Sequence, residues 1–487
     1  MLHDIINEHV KKKERLETAG LDPYPASVKR TYSLAQTIKD FKKLLVTQKK
    51  FYVVGRVFAI RGQGGVSFFD LKDESGTIQI VFRKDNAKDS YDLIRDMLDI
   101  GDFIEVVGRA YLTKREEKSI NTNAVRIITK SLRPIPSEWY GLSDTETRFR
   151  KRYLDLLLHP ELKELFRKKS RFWKSVRDYL LQEEFLEVET PVLEQIPGGA
   201  DAKPFITHHH ALDINLYLRI SLELHLKRLI VGGFEKIFEI GRVFRNEGID
   251  DEHLQDYTQM ELYWAYKDYN DLMPFIEKMV KYVIKNTFGT LITSWHGEKI
   301  NWAKKWQRID YFELLNKEWG IDASKISVKD LYKLAEKYKV KVSPGLSRGR
   351  VLDYIYKKTI RPKIIQPHFL INPPVDVETL AKRLPGKQNS VQRFQILAMG
   401  SELGKGFSEL NDPLDQRARF EEQMRLRAKG DEEAQMMDED FVEALEYGMP
   451  PTAGFGMSER LFAMVADKSV RETVFFPLLR PEGQKNE

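Results

Sequence analysis

An α+β fold in two or three domains is predicted by three observations. The chain has 487 residues, more than one hydrophobic core accommodates. From Phe51 the apolar pattern has period two and gives five short strand candidates with one short helix. Beyond about residue 160, helical periods alternate with longer strand-like runs.

Residues 1–45 read as lysine-rich helical segments, interrupted at Asp22-Pro23-Tyr24-Pro25. The strand candidates are FYVVGRVFAI, VSFFDLKD, TIQIVFR, DFIEVVGRAYL and NAVRIIT, and DSYDLIRDMLDIGD is the helix between the third and fourth. Five strands and one helix suggest a small barrel of the OB type over residues 46–136. Such barrels bind single strands by stacking bases on exposed aromatics over a basic face. Arg61, Phe68 and Gln79 are the candidates for that face, although pattern alone assigns Phe68 to the core. Leu132-Arg133-Pro134-Ile135-Pro136 ends the barrel, and a polar linker is expected over 137–160.

Phe166, Trp173, Val176 and Leu180 recur at helical spacing and predict an amphipathic helix packed on a core. FLEVETPVL, with Pro191, is extended and belongs at a sheet edge or an interface. A helix is expected around SLELHLKRLIV, and residues 270–360 read as mostly helical and lysine-rich, without a chemical motif. Strands return at IQPHFLI and SVQRFQILAM, followed by SELGKGFSEL and the charged helix RARFEEQMRLRAKGDEEAQ. GMPPTAGFGMSERLFAMVADKSV reads as a Gly-rich turn opening into an apolar helix.

Charge placement says more than its size. The first 150 residues hold 27 Lys/Arg and 21 Asp/Glu, a surplus equal to the whole net charge of +6. This suits an N-terminal nucleic-acid-binding module on a neutral body. No run of ~18 apolar residues occurs, so no transmembrane helix is expected. The charged start lacks the apolar centre of a signal peptide. Zero cysteines exclude disulfides, thiol catalysis and thiolate zinc sites, and suit a reducing cytoplasm. The chain contains no G-x-x-x-x-G-K-[ST], no H-E-x-x-H and no G-x-G-x-x-G after a strand. His208-His209-His210 is read as a local polar turn, because neighbours on a strand alternate faces and cannot share one ion.

The stretch FEIGRVFRNEGIDDEHLQDYTQMELYWAY, residues 238–266, carries the most chemistry. An apolar run precedes an Arg245-Asn246-Glu247 turn, and a returning run presents Glu261 and Tyr263. A guanidinium and two carboxylates on paired strands can hold a triphosphate on one side and a small polar substrate on the other. That combination points to a nucleotide-activating enzyme.

Over nearly its whole length the chain resembles class II lysyl-tRNA synthetases. The resemblance rests on KPFITHHHALDINLYLRISLELHLKRLIVGGFEKIFEIGRVFRNEG, LDPYP, RYLDLLL, GFSELNDPLDQ and GMPPTAGFG. The Pro191 segment is similar to motif 1 of the class, Arg245-Asn246-Glu247 to motif 2, and Arg460 closes motif 3, in that order. The resemblance implies an OB-fold anticodon-binding domain and, over 161–487, an antiparallel sheet flanked by helices with the 270–360 insertion. It further implies a C2 homodimer formed through motif 1, and a reaction in which ATP converts L-lysine to lysyl-adenylate before transfer to tRNA(Lys).

By the same resemblance Arg245 and Arg460 are catalytic, on the α- and γ-phosphates. Glu247, His253, Tyr257 and Glu402 join them around ATP, with the Tyr257 ring stacking on the base. The lysine pocket is Gly199, Glu223, Arg245, Glu261, Tyr263, Phe407 and Glu409. Glu223 and the Gly199 carbonyl take the α-amino group; Glu261, Tyr263 and Glu409 surround the ε-ammonium. Mg2+ is implied on Glu402 and Gln395, and no zinc. Several acids around a buried site select a cation, because an unpaired buried charge is costly. Aspartyl or asparaginyl enzymes of the same architecture, the alternative reading, would present basic or neutral groups there. Two further alternatives are a protein-lysylating relative, which would lack the barrel, and a dead tRNA-binding protein, which would not need Arg245, Glu247, Glu402 and Arg460 together.

Five departures from the family pattern stand out. Gln395 occupies a position usually held by Glu, Lys405 one where Asn is common, and Leu254 one usually held by Asn. Motif 3, GFGMSER, is one residue shorter, and Ala124 falls where an acidic anticodon-reading residue is often found.

Overall fold

Period-two alternation from Phe51 builds a closed barrel. The computed structural model describes residues 2–87, 90–136, 144–248, 253–343, 345–429 and 434–481. Asp89 of the expected barrel helix, residues 137–143 of the expected linker and 430–433 of the expected charged helix lie outside the described residues. The chain divides into two units, Met1–Thr147 and Arg148–Glu487.

In the first unit, helix α1 (Leu2–Thr18) precedes strands β1 (Phe51–Gln63), β2 (Val66–Lys72) and β3 (Thr77–Arg83). Helix α2 (Ser90–Met97) then leads to β4 (Phe103–Leu112) and β5 (Lys118–Thr129). The barrel closes in the order β1-β2-β3-β5-β4. Val53, Phe69, Ile80, Val106 and Ile120 fill it. Buried Lys130 joins Asp102 (2.7 Å) to Asp99, which also receives Lys12 (2.6 Å), and this ion-pair cluster fastens α1 to the barrel.

Two sequence expectations are corrected here. β5 begins at Lys118, five residues before the expected Asn123, because its first half carries polar residues at core positions. Ser119 Oγ donates to Gln79 Oε1 (3.0 Å) and Thr122 Oγ1 to the Val107 carbonyl (2.7 Å), so these side chains are buried without penalty yet break the apolar pattern. Phe68 is not a core residue: Phe69 faces inward, and Phe68 lies half-buried on the outer face.

In the second unit, Pro160 opens helix α3 (Pro160–Gln182), a position where a missing N–H does no harm. The amphipathic helix expected from Phe166, Trp173, Val176 and Leu180 is present, with Phe166, Val176 and Leu180 buried and Trp173 partly buried against the same core. The strands are β6 (Leu186–Glu187), β7 (Lys236–Phe244), β8 (Asp256–Ala265), β9 (Gln307–Asp310), β10 (His368–Ile371), β11 (Arg393–Ala398), β12 (Ser401–Ser408) and β13 (Thr452–Ser458). They form one sheet in the order β9-β10-β11-β12-β13-β8-β7-β6, antiparallel except for the outermost pair at each edge. The Pro191 segment follows β6, which lies at that edge as expected. Helix α4 (Glu223–Val231) precedes β7, and α5 (Tyr269–Phe288) follows β8. Asp268 caps α5 through a capping box and Gly289 ends it with φ 77°.

Phe172, Val176 and Leu180 of α3 and Met273, Ile276 and Val280 of α5 pack on Phe394, Phe455 and Met457 of the sheet. The 270–360 region is mostly helical, but also contains a hairpin (Ile292–Trp295 and Glu298–Asn301) and β9, which extends the main sheet. His208 and His209 belong to an exposed strand, Ile206–His209, so the expected turn starts only at His210. The Gly-rich segment at 452–458 is not a turn but the strand β13, between β12 and β8. Among the described residues, no helix is long and apolar enough to cross a membrane.

Candidate active site

Strand alternation assigns two jobs to the middle of the sheet. On β13, Ala453, Phe455 and Met457 join the core under α3 and α5, while Gly454 and Gly456 face the opposite side. On β8, Met260 and Leu262 face the same core, and Tyr257, Gln259, Glu261 and Tyr263 face away. Lys405 and Phe407 of β12 and Glu409 just beyond it complete that second face. A cleft of about 690 Å³ lies over it. All thirteen residues expected at the ATP, lysine and metal positions line this cleft: Gly199, Glu223, Arg245, Glu247, His253, Tyr257 and Glu261, then Tyr263, Gln395, Glu402, Phe407, Glu409 and Arg460.

One end is a buried acidic pocket. Glu261 is saturated: its Oε1 accepts from Ser221 Oγ (2.8 Å), the Leu222 N–H (3.2 Å) and Gln259 Nε2 (2.6 Å), and its Oε2 from Tyr263 Oη (3.0 Å). Glu223 Oε1 pairs with Lys227 Nζ at 2.6 Å, one turn further along α4. Lys227 is wholly buried, also pairs with Glu409 Oε2, and lies 5.4 Å from the Phe407 ring centre. Glu409 is 1% exposed, and its Oε1 has no hydrogen-bond donor. Lys227 therefore neutralises part of the pocket, and one oxygen of Glu409 is left without a donor.

Two glycines give the pocket its room. A Cβ at Gly454 would stand 2.1 Å from Glu409 Oε1 and 2.6 Å from the Tyr263 ring. Gly199 has φ +84°, a conformation other residues rarely adopt, and a Cβ there would meet Ser221 and Glu223 at about 3 Å. For the lysine and ATP substrates that the resemblance implies, we predict that Gly454→Ala raises the lysine KM at least about tenfold, ~1.4 kcal/mol, with a smaller change for ATP, in ATP–pyrophosphate exchange. An unchanged lysine KM would mean that Gly454 does not border the pocket.

Burial pushes the Glu223 carboxyl up to about 7 against the pull of Lys227, and pushes Glu409 and Glu261 upward too. The folded chain thus holds protons that the unfolded chain releases near the ordinary carboxylate range. Without ligand it loses stability as pH rises from there through about 7. A cationic ligand needs the ionised form, so its affinity should grow over the same interval. Lysine should therefore raise the melting temperature more at pH 8 than at pH 6, by scanning fluorimetry; an equal or smaller rise at pH 8 would contradict this.

The other side of the cleft is cationic. The hairpin β7–β8 holds register from Lys236↔Trp264 to Phe244↔Asp256, and Arg245 follows directly. Arg245 N–H donates to the Gln255 carbonyl (2.8 Å), its Nε to the Ile220 carbonyl (3.2 Å), and its guanidinium lies 5.5 Å from the Tyr257 ring centre. Arg460 opens the short helix Arg460–Val465 after β13. Gln395 on β11 stands directly opposite Lys405 on β12. A bulge at Leu403 shifts the register and brings Glu402 to the same face, where its Oε2 accepts from Gln395 Nε2 at 2.6 Å. Burial opposes ionisation of Glu402, but Arg393, Lys405 and Lys357 outweigh it and hold the carboxyl below its usual range.

Several lining residues have no counterpart among those expected from the sequence. Arg350 and Lys357, on the helix Arg348–Thr359, and Arg361 bring the 270–360 region and its boundary into the cleft. Gln259 was within reach, since it shares a strand face with Glu261 two residues on. Lys227 was signalled by its four-residue spacing from Glu223.

In the barrel, Arg61, Phe68 and Gln79 come together on the outer face. Arg61 pairs with Phe68 in the β1–β2 ladder, and Asp70, two residues on, pairs with Gln79 across β2–β3. Arg61 Nη2 also bonds Asp70 Oδ1 at 2.6 Å, and Gln79 Nε2 donates to Glu117 (3.0 Å).

An antiparallel sheet carrying two arginines and an acidic pocket on one face, together with a five-stranded barrel, defines a class of amino-acid-activating enzymes. The chain belongs to the class II tRNA synthetases (D, K and N), whose family model matches residues 144–480. An OB-fold nucleic acid binding domain matches residues 51–128. The chain is similar to the lysine–tRNA ligase of Moorella thermoacetica, at 42% identity over 99% of both chains. It is similar to that of Carboxydothermus hydrogenoformans, at 43% over 99% of both, and to that of Bacillus subtilis, at 40% over 98% of both.

Proposed function

We infer that the chain is an ATP-dependent ligase joining L-lysine to tRNA(Lys). The observation that carries the choice of amino acid is Glu409, a buried carboxylate with a donorless oxygen between Gly454 and Tyr263. A pocket of three buried acids, two of them paired with the buried Lys227, attracts an ammonium and repels the carboxylate side chain of aspartate. Asparagine would leave that carboxylate oxygen without a cation.

The carboxylate of lysine attacks the α-phosphorus of ATP, the bond to the β-phosphate oxygen breaks, and lysyl-adenylate and pyrophosphate result. A terminal ribose hydroxyl of tRNA then attacks the lysyl carbonyl, and AMP leaves. Neither step needs a protein nucleophile; positioning and charge stabilisation suffice. Arg245 holds the α-phosphate and the lysine carboxylate together, and Arg460 holds the γ-phosphate. Both guanidiniums present a planar fork that suits phosphate oxygens. Glu247, His253 and Tyr257 position the nucleotide, with the Tyr257 ring on the base. Glu223 and Gly199 take the α-amino group, and Glu261, Tyr263, Phe407 and Glu409 shape the side-chain end.

Glu402 and the Gln395 amide oxygen fit a magnesium ion, which takes hard oxygen ligands. Gln395 Nε2 already donates to Glu402, so the two side chains are held side by side. Bound Mg2+ would neutralise phosphate charge there.

Arg61, Phe68 and Gln79 read the anticodon, with Phe68 stacking on a base. Phe68→Ala should raise the KM for tRNA about tenfold in the charging assay, with ATP–pyrophosphate exchange reporting the integrity of the catalytic unit. Equal loss in both assays would refute the assignment. The exposed Leu186, Val192 and Leu193 around the β6 edge support a homodimer formed there. The absence of cysteine supports a cytoplasmic location. Charging of tRNA(Lys) with each of lysine, aspartate and asparagine tests the reading: lysine alone should be transferred, and transfer of either other amino acid would overturn it.

A further inference from the structure

Around Glu402 the donor set suits one divalent cation and not two. The neighbouring carboxylates are already engaged. Glu378 pairs with Arg393 (3.0 Å) and Lys405 (3.4 Å), Asp353 with Lys357 (2.7 Å), and Asp201 with Arg350 (3.5 Å). Glu402 makes its contact with the neutral Gln395 amide, which donates one N–H to Glu402 Oε2 and has only its oxygen to offer a metal. Magnesium is ordinarily held by one or two carboxylates together with phosphate oxygens and water. Glu402, the Gln395 oxygen and a phosphate meet that requirement once.

A second ion would need another carboxylate from the facing strand. That position is Lys405, directly across the ladder from Gln395. Directly opposed side chains have their Cβ atoms about 5 Å apart, so a cationic side chain takes the ladder position from which a second ion would need a carboxylate. We propose that Lys405 replaces a second divalent cation, so that ATP is held by one metal ion and the Lys405 ammonium. The ammonium is itself a phosphate donor, with three N–H groups and a fixed charge. Glu378 pairs with it without neutralising it alone, because Arg393 shares the same carboxylate oxygen. The inference rests on the ATP-binding reading above.

The test uses the full chain with β,γ-methylene-ATP and Mn2+ as the probe, counting bound Mn2+ by electron paramagnetic resonance. One Mn2+ per bound nucleotide is expected. Two or more per nucleotide would overturn the inference and leave the nucleotide site intact. Failure of the nucleotide to bind at any Mn2+ concentration would overturn the ATP reading itself, and the inference with it. The paired variant Q395E/K405N should gain a second Mn2+ with the nucleotide; a count remaining at one would also refute the role given to Lys405. Thermal unfolding checks that this variant folds, and if it does not, the count on the unaltered chain decides.

Discussion

Arg245→Ala should lower lysine-dependent ATP–pyrophosphate exchange about 10³-fold or more, the scale at which an arginine stabilises a phosphoryl-transfer transition state. The side chain leaves the end of β7 half-buried, steadied by the Ile220 carbonyl and the Tyr257 ring, with its fork directed into the cleft. Its anchors lie at the base, so removal takes away a charge without opening the core. The loss should fall mainly on kcat, because charge builds on the phosphate in the transition state. Affinity for tRNA, measured by filter binding, should change little. Arg245→Lys should rescue only part of the rate, since an ammonium cannot grip two oxygens in the same plane. Exchange within tenfold of the unaltered enzyme would remove Arg245 from the reaction.

Glu409→Gln should reduce kcat/KM for lysine about 10²–10³-fold, ~3–4 kcal/mol, on the scale of breaking a buried ion pair. The substitution keeps size and shape, so packing beside Gly454 and Phe407 is preserved. It removes one of the two carboxylates held by Lys227 and the oxygen that lacks a donor. The ATP KM should move much less than that of lysine. Equal losses for both substrates would indicate general collapse of the cleft instead of a lysine pocket. The folded fraction, followed by circular dichroism, separates the two.

The hairpin β7–β8 was legible because apolar alternation on both sides of Arg245 is a local signal. The barrel strands were legible for the same reason, and β5 was cut short only where Ser119 and Thr122 satisfy their polarity through hydrogen bonds. β13 was not legible, because Gly454 and Gly456 carry no strand signal of their own. Their conformation is imposed by β12 and β8 on either side, and the lack of a side chain at Gly454 by Glu409 and Tyr263 above it. The face of Glu402 depends on the bulge at Leu403, which depends on pairing between strands. Arg350, Lys357 and Arg361 reach the cleft through the packing of the helical region, and nothing beside them in sequence announces it.

The pocket residues form one set only if they choose the substrate together. ATP–pyrophosphate exchange measured with each of the twenty amino acids in turn is the most direct test of that choice. Stimulation by L-lysine, with every other amino acid at or near background, is the predicted result. Comparable stimulation by aspartate or asparagine, or none by any amino acid, would contradict it.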